Sequence, residues 1–227
     1  MEFFRSSRPM MVDREHALKG RREPIPVAPN HLVLKNLVNP VIAEPLRVAI
    51  FGMGCFWGAE RLLWNVPGVF STSVGYSGGF TENPTYEEVC SGRTGHAEVV
   101  RVIYDTTKVD FETLLKVFFE GHDPTQHMRQ GNDVGTQYRS ILVADDHDQE
   151  LIAREVAGTF EQRLLTAGFG ALSTEITNAT ALETSTPFFF AEDYHQQYLA
   201  KNPNGYCGLG GTGVSCPVGV LGDSSPI

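Results

Sequence analysis

Residues 46–60 read Leu46-Arg-Val-Ala-Ile-Phe-Gly-Met-Gly-Cys-Phe-Trp-Gly-Ala-Glu60. The apolar run over Arg47 to Phe51 predicts a buried strand, and the stretch from Cys55 to Asn65 predicts a helix ended near Pro67-Gly68. Cys55 therefore leaves a strand, sits in a glycine turn and opens a helix. The free N–H groups and the positive dipole end of a helix favour an anion, so the Cys55 thiolate is expected to form more easily than that of a free thiol. Phe56 and Trp57 stand beside it. A thiol with an aromatic wall is a candidate nucleophile for a substrate that has an apolar group to hold.

The same glycines suggest a dinucleotide-binding turn, but that fingerprint needs glycines two and then three residues apart. Gly52, Gly54 and Gly58 are two and then four apart, with two bulky aromatics where a pyrophosphate would approach. The nucleophile reading is the better one.

Outward from this unit the chain alternates. Val69 to Tyr76 and His96 to Tyr104 read as strands, with a short helix over Thr85 to Ser91 between them. Phe111, Leu114, Leu115, Phe118 and Phe119 recur at helical spacing, with Asp110 as the expected N-cap. Gly121 to Gly135 reads as loop and Ser140 to Ala144 as strand. Leu151, Ile152, Val156, Phe160 and Leu164 mark a further amphipathic helix stopped by Gly168. A strand over Leu172 to Thr177 and a last helix around Ala191 to Leu199 complete the body. No repeat is visible, and this mixture predicts an α+β sandwich of helices against a mixed sheet.

Residues 1–44 are proline-punctuated and are expected to form an N-terminal arm, with a short helix near Asn30 to Val38. Residues 45–204 are expected to form the catalytic domain. Residues 205–227, with seven glycines and the thiols Cys207 and Cys216, are expected to be a flexible tail. Such a segment can swing a thiol toward another sulfur.

Charge is uneven along the 227 residues. Residues 1–35 carry seven Lys/Arg and four Asp/Glu, against eleven and twenty-three in the remainder, so a +3 arm precedes a −12 body. An acidic body argues against nucleic acid as a partner. No apolar stretch approaches a membrane span, and the N-terminus lacks the apolar core of a secretory signal. A reduced, cytoplasmic setting follows, in which the four cysteines point to redox chemistry rather than to structural bridges. There is no Cys-x-x-Cys pair, and the seven histidines share no metal-knuckle spacing with the cysteines, so no metal is expected. Nothing in the sequence calls for a large apolar interface, and a monomer is expected.

Glu98 is the second informative residue. In its strand it shares a face with Val100, Val102 and Tyr104. A carboxyl in line with valines is desolvated, which raises its pKa and keeps a proton available for a general acid. The opposing reading, a strand-end glutamate that reaches solvent or pairs with Arg101 or His96, has slightly the stronger claim on the sequence alone. Tyr86 and Tyr138 are candidate phenolic donors, Asp133 sits in a glycine loop, and His195 is a candidate base. Taken singly, each is more often packing or turn chemistry. Cys90 follows Val89 in an apolar helical context and reads as a buried, inert thiol.

Together these pieces closely resemble the A-type methionine sulfoxide reductases, the peptide-methionine (S)-S-oxide reductases. The resemblance rests on Gly54-Cys-Phe-Trp-Gly-Ala-Glu60, Gly75-Tyr-Ser-Gly-Gly79, Pro84-Thr-Tyr-Glu-Glu-Val89 and Gly95-His-Ala-Glu-Val99. It continues through Gly131-Asn-Asp-Val-Gly-Thr-Gln-Tyr-Arg-Ser140, Ala191-Glu-Asp-Tyr-His-Gln-Gln-Tyr198 and the tail from Gly205 to Cys216. It spans roughly residues 45 to 216. The fold then expected is a two-layer α+β sandwich, a ferredoxin-like plait with helices on one or both faces.

The resemblance implies Cys55 as nucleophile, Phe56 and Trp57 as the cage for the substrate methyl group, and Glu98 as the acid that protonates the sulfoxide oxygen. It implies Tyr86 and Tyr138 as donors to that oxygen, with Asp133 holding the site through its polar network. Cys55 becomes a sulfenic acid as methionine is released. Cys207 then forms a disulfide with Cys55, and Cys216 attacks Cys207 to move the bridge to the tail. The resemblance also implies thioredoxin or another thiol reductant as the electron source, with no cofactor, and S-sulfoxides of methionine in peptides and proteins as substrates.

Two other classes compete. A cysteine hydrolase or acyltransferase would use Cys55 with His195 or His96 as base, but needs no glycine-rich tail with two thiols. A redox sensor that binds oxidised peptides without turnover gains little from an acid beside its thiol.

Overall fold

The computed structural model describes residues 9–182, 184 and 186–217. The run that begins the body forms β1 (Leu46–Met53), and α1 (Phe56–Trp64) follows after a two-residue turn. β1 is buried on both faces over its second half, which explains why it reads as a continuous apolar run. Gly52 within it is required by packing, because a Cβ there would lie 2.5 Å from the Ile141 side chain.

β2 (Val69–Ser77) is joined to β3 (Ala97–Asp105) through α2 (Tyr86–Cys90). Thr85 and Glu88 close a reciprocal capping box around the start of α2. α3 (Phe111–Gly121) starts at Asp110, whose carboxylate accepts from the Thr113 N–H at 2.7 Å, as expected of its cap. The loop expected over Gly121 to Gly135 contains a two-residue hairpin, β4 (Arg129–Gln130) with β5 (Asp133–Val134). β6 (Ser140–Ala144), α4 (His147–Thr166) and β7 (Glu175–Asn178) follow. Asp146 caps α4, and Gly168 leaves it at φ +87°, a backbone state that favours glycine.

The six-stranded sheet has the order β7-β6-β1-β3-β2-β8, where β8 is Phe189–Phe190. All neighbours are antiparallel except β6 and β7, so the sheet is mixed. α1, α3 and α4 pack on one face of the sheet. Phe51 and Met53 of β1, Val100 and Val102 of β3 and Leu142 of β6 meet α1, α3 and α4 in one core. Phe51, Phe118, Phe119 and Phe160 form its aromatic centre, with ring centroids 4.9–5.3 Å apart. Ile50, Val99, Ile141 and Val143 face the other way, under Phe188 and Phe190.

Two expected helices are absent. At 30–38 the arm makes a tight turn, with Lys35 N donating to the His31 carbonyl and Lys35 at φ +67°. His31 and Val38 are buried against the body. At 191–199 the chain forms turns, with only a short α5 (Tyr198–Lys201). There the Gln196 side chain bonds to the backbone of Val74 and Ala191, and Gln197 takes the left-handed conformation at φ +48°. Long-range side-chain bonds outweigh helical propensity in this segment.

The tail over 205–217 has no regular secondary structure, and it lies packed on the body. Gly211 passes so close to the Glu120 carbonyl that a Cβ would overlap it, and the Cys216 N–H donates to Glu120 Oε1 at 2.7 Å.

Candidate active site

β1, β2 and β3 bring the site together at one end of the sheet. β1 delivers Cys55 to the N-cap of α1. Glu98, at the start of β3, stands opposite Tyr76 near the end of β2. Gly54 makes the turn at φ +88°, and a Cβ there would lie 2.5 Å from Gln130 Cβ. The glycine thus admits the β4–β5 hairpin against the thiol turn. Gln130 holds that hairpin through both ends of its amide, accepting from Asp123 N and donating to Asp123 O. Its partner across the hairpin is Asp133.

These elements enclose a cavity of about 150 Å³ lined by Cys55, Phe56, Trp57, Tyr86, Glu98, Asp133, Tyr138 and Tyr206. Seven of the eight are residues picked out in the sequence. Glu98 is only 2% exposed, and its Oε2 accepts the Phe56 N–H at 3.0 Å. Burial pushes its pKa up to about 8, and Asp133 adds to the rise, while the Phe56 N–H opposes it. At neutral pH it is a protonated acid facing the cavity. Burial also raises Tyr86 and Tyr138, so both phenols keep their protons as donors.

The expectation of an easily formed Cys55 thiolate does not hold in this resting geometry. The Trp57 and Gly58 N–H groups do favour the anion, but burial outweighs them and raises the thiol, and Glu98 raises it further wherever its carboxyl is ionised. The helix terminus is a local effect, and desolvation by the assembled site is stronger. The pair therefore rests neutral, with a proton on each partner.

Trp57 is held on two sides. Its indole N–H donates to His195 Nδ1 at 3.0 Å, and its ring stacks on Tyr198 at 3.9 Å and 14°. His195 is thereby committed to the wall, and burial lowers its pKa to about 4. His96 has both nitrogens engaged, Nδ1 by the Gly79 N–H and Nε2 with the Thr81 carbonyl. Neither histidine lines the cavity, which removes both candidate bases of the hydrolase reading.

Two thiols are placed differently from expectation. Cys90 is exposed, at the end of α2, with its side chain bonded to that of Tyr86. Its helix is one turn long and leaves its outer face in solvent. Cys216 is buried, and burial pushes its thiol up to about 12. Cys207 is exposed and sits over the first turn of α1, where a Cβ on Gly58 would come within 3.0 Å of its sulfur.

Sequence reasoning missed Tyr206, whose hydroxyl donates to Asp133 Oδ2 at 3.2 Å. The available signal was an aromatic beside Cys207 in a tail with no core of its own. Among the described residues no group of three or more His, Cys, Asp or Glu is arranged to hold a metal ion, and no helix is long and apolar enough to cross a membrane.

A sequence model of the peptide methionine sulfoxide reductase family matches residues 47–212. The peptide methionine sulfoxide reductase MsrA of Rhodospirillum centenum is 56% identical over 225 residues, covering 98% of this chain and all of that protein. The human mitochondrial peptide methionine sulfoxide reductase is 55% identical over 92% of this chain and 87% of its own. The solved methionine sulfoxide reductase A of Corynebacterium diphtheriae superposes with a TM-score of 0.80 at 46% identity, covering 88% of this chain and 94% of that one. With a thiol, a buried acid and an aromatic wall around one small cavity, and with identity of this order over nearly its whole length, the chain belongs to the peptide methionine sulfoxide reductase family and is an oxidoreductase of methionine sulfoxide.

Proposed function

We propose that the protein reduces the S epimer of methionine sulfoxide in peptides and proteins through Cys55, with Glu98 as proton donor. The observation that carries this reading is the buried, protonated Glu98 carboxyl lining the same 150 Å³ cavity as the Cys55 thiol. A sulfoxide oxygen leaves poorly unless protonated, and a phenol pair with a neutral carboxylic acid is suited to protonating it. Glu98 gives its proton to the oxygen as the Cys55 sulfur bonds to the substrate sulfur, and recovers a proton from the thiol. The substrate S–O bond and the transient S–S bond both break as the oxygen passes to Cys55 as a hydroxyl, and the sulfide leaves. In sum, thiol plus sulfoxide becomes sulfenic acid plus sulfide, a two-electron oxidation of the cysteine.

The cavity also supports epimer selection. The oxygen is directed to Glu98, Tyr86 and Tyr138, the methyl group to Phe56 and Trp57, and the sulfur to Cys55. Fixing three directions at a pyramidal sulfur leaves one exit for the peptide chain, which suits one configuration. Asp133, with Tyr206 bonded to it, closes the remaining side.

Cys207, whose sulfur lies over the first turn of α1, condenses with the Cys55 sulfenic acid in this reading, releasing water. Cys216 then leaves its seat on α3 and α4, attacks Cys207 and frees Cys55. A dithiol such as thioredoxin reduces the Cys207–Cys216 bridge. The relay starts each cycle from thiols, which fits a reducing, cytoplasmic compartment and a monomer that needs no second chain. The strand order β6-β1-β3-β2, antiparallel throughout, supports a ferredoxin-like plait as the catalytic framework, with residues 1–44 as arm and 205–227 as tail.

The test is reduction of separated sulfoxide epimers by the full chain with thioredoxin or dithiothreitol. The S epimer should be consumed and the R epimer left. Equal turnover of both, or of neither, rejects the proposal.

A further inference from the structure

Behind the Trp57 wall lies a buried carboxylate that the reaction does not touch. Glu60, on α1 one turn beyond Trp57, is 0% exposed. It accepts three hydrogen bonds. The Gln197 backbone N–H donates to Oε2 at 2.8 Å, and the Gln197 side-chain amide and the Thr72 hydroxyl donate to Oε1 at 2.8 and 3.0 Å. Thr72 in turn meets His31 Nε2 at 2.8 Å, and Gln197 Oε1 accepts the Leu32 N–H at 3.2 Å. His31 Nδ1 accepts from the Val33 and Leu34 N–H groups, which leaves its proton on Nε2, toward Thr72.

Gln197 is the point of interest. It holds a left-handed backbone that is costly for any residue with a Cβ, and such a conformation persists where its surroundings over-determine it. Both groups that grip the Trp57 indole, His195 and Tyr198, lie within two residues of it. From these contacts we infer that Glu60 is a positioning residue for substrate recognition: it fixes the 195–198 turn through Gln197 and so sets the distance of the Trp57 wall from Cys55, with the arm at His31 and Leu32 completing the clamp. The inference rests on the reading of Trp57 as the wall for the substrate methyl group. A fraction of an ångström in that wall alters the fit of a methyl group, which is the substrate's smallest apolar handle.

The test compares Glu60→Gln, Gln197→Gly and Trp57→Phe in the full chain, using a peptide methyl sulfoxide and its ethyl homologue. Glu60→Gln keeps the side chain's volume and should raise KM for the methyl substrate about tenfold, with the single-turnover rate at saturation changed less than about twofold. Preference for methyl over ethyl should fall by a similar factor. Gln197→Gly removes the amide tie while relieving the left-handed backbone, so it tests the same link without relying on Glu60→Gln to fold. It should move KM in the same direction. With 5-fluorotryptophan incorporated, the Trp57 resonance, assigned by its loss in Trp57→Phe, should shift in both variants. Glu60→Gln combined with Trp57→Phe should raise KM by less than the product of the two.

If Trp57→Phe raises KM but Glu60→Gln and Gln197→Gly change only the melting temperature, the inference is overturned and the reading of the site survives. If Trp57→Phe leaves KM and methyl preference intact, the reading of the wall fails and the inference falls with it.

Discussion

Glu98 and Glu60 are both carboxyls sealed inside the protein, and burial raises both, to about 8 and about 7. Their hydrogen bonding separates them. Glu60 spends both oxygens on three donors from β2 and the 197 turn, and does not line the Cys55 cavity. Glu98 accepts the Phe56 N–H on one oxygen and lines a cavity beside a thiol. A buried acid whose bonding capacity is filled by its own chain is a structural tie, and one left partly unfilled at a cavity has capacity for a substrate.

The sharpest way to break that contrast is Glu98→Gln. The amide oxygen can keep the Phe56 N–H, so the fold should be undisturbed, while the transferable proton is lost. Single-turnover reduction should fall by about 10²–10⁴-fold, the range expected for a general acid, with KM nearly unchanged. Rapid quench with a saturating S-sulfoxide measures this. A rate within a few-fold of wild type would put Glu98 in the same structural class as Glu60.

The two residues were also unequally legible. Strand alternation alone placed Glu98 in line with Val100 and Val102, and that face does carry the main core. Asp110 as a cap and β6 over Ser140–Ala144 were readable for the same reason, since local pattern decides them. Glu60 stands in the most informative stretch of the chain, but on a helix a glutamate reads as solvent-facing. Its burial comes from Thr72, His31 and Gln197, which are 12, 29 and 137 residues away. The raised Cys55 thiol was hidden similarly: the helix terminus is written locally, and the burial that opposes it comes from the other elements of the assembled site. Tyr206 and the seat of Cys216 depend on where an irregular tail lands, which no periodicity encodes.

The second test turns to stability, where Glu60 should be the costlier position. A glutamine at 60 carries one acceptor oxygen and an amide that must face a donor. If the Gln197 amide flips to accept from it, the Leu32 N–H loses its acceptor. One buried donor is stranded in either arrangement, which costs about 1–3 kcal/mol. Urea unfolding at neutral pH should show a loss in that range for Glu60→Gln and little or none for Glu98→Gln. Equal losses at the two sites would dissolve the distinction.

The smallest expected effect is the dependence of stability on pH, and it separates the two carboxyls by their titration. A carboxyl whose folded pKa is raised holds a proton that the unfolded chain has lost, so its contribution declines as pH rises from the ordinary carboxylate value to the folded one. For Glu60 that decline ends near 7 and for Glu98 near 8. His31, His96, His122 and His195 act oppositely. Burial lowers each to about 4, so the unfolded chain binds the extra protons below pH 6.5 and stability rises from about 4 to 6.5. Four rising contributions exceed two falling ones in the acidic window, and only the carboxyls still titrate above it. The melting temperature should therefore peak near pH 6.5 and decline by a few degrees toward pH 8, since one group contributes at most about 1.4 kcal/mol per pH unit. Between pH 7 and 8 Glu98 is the last of the two still releasing its proton. Glu98→Gln should flatten that limb and leave the acidic limb intact, whereas a limb unchanged in Glu98→Gln would show that Glu98 gives up its proton outside this window.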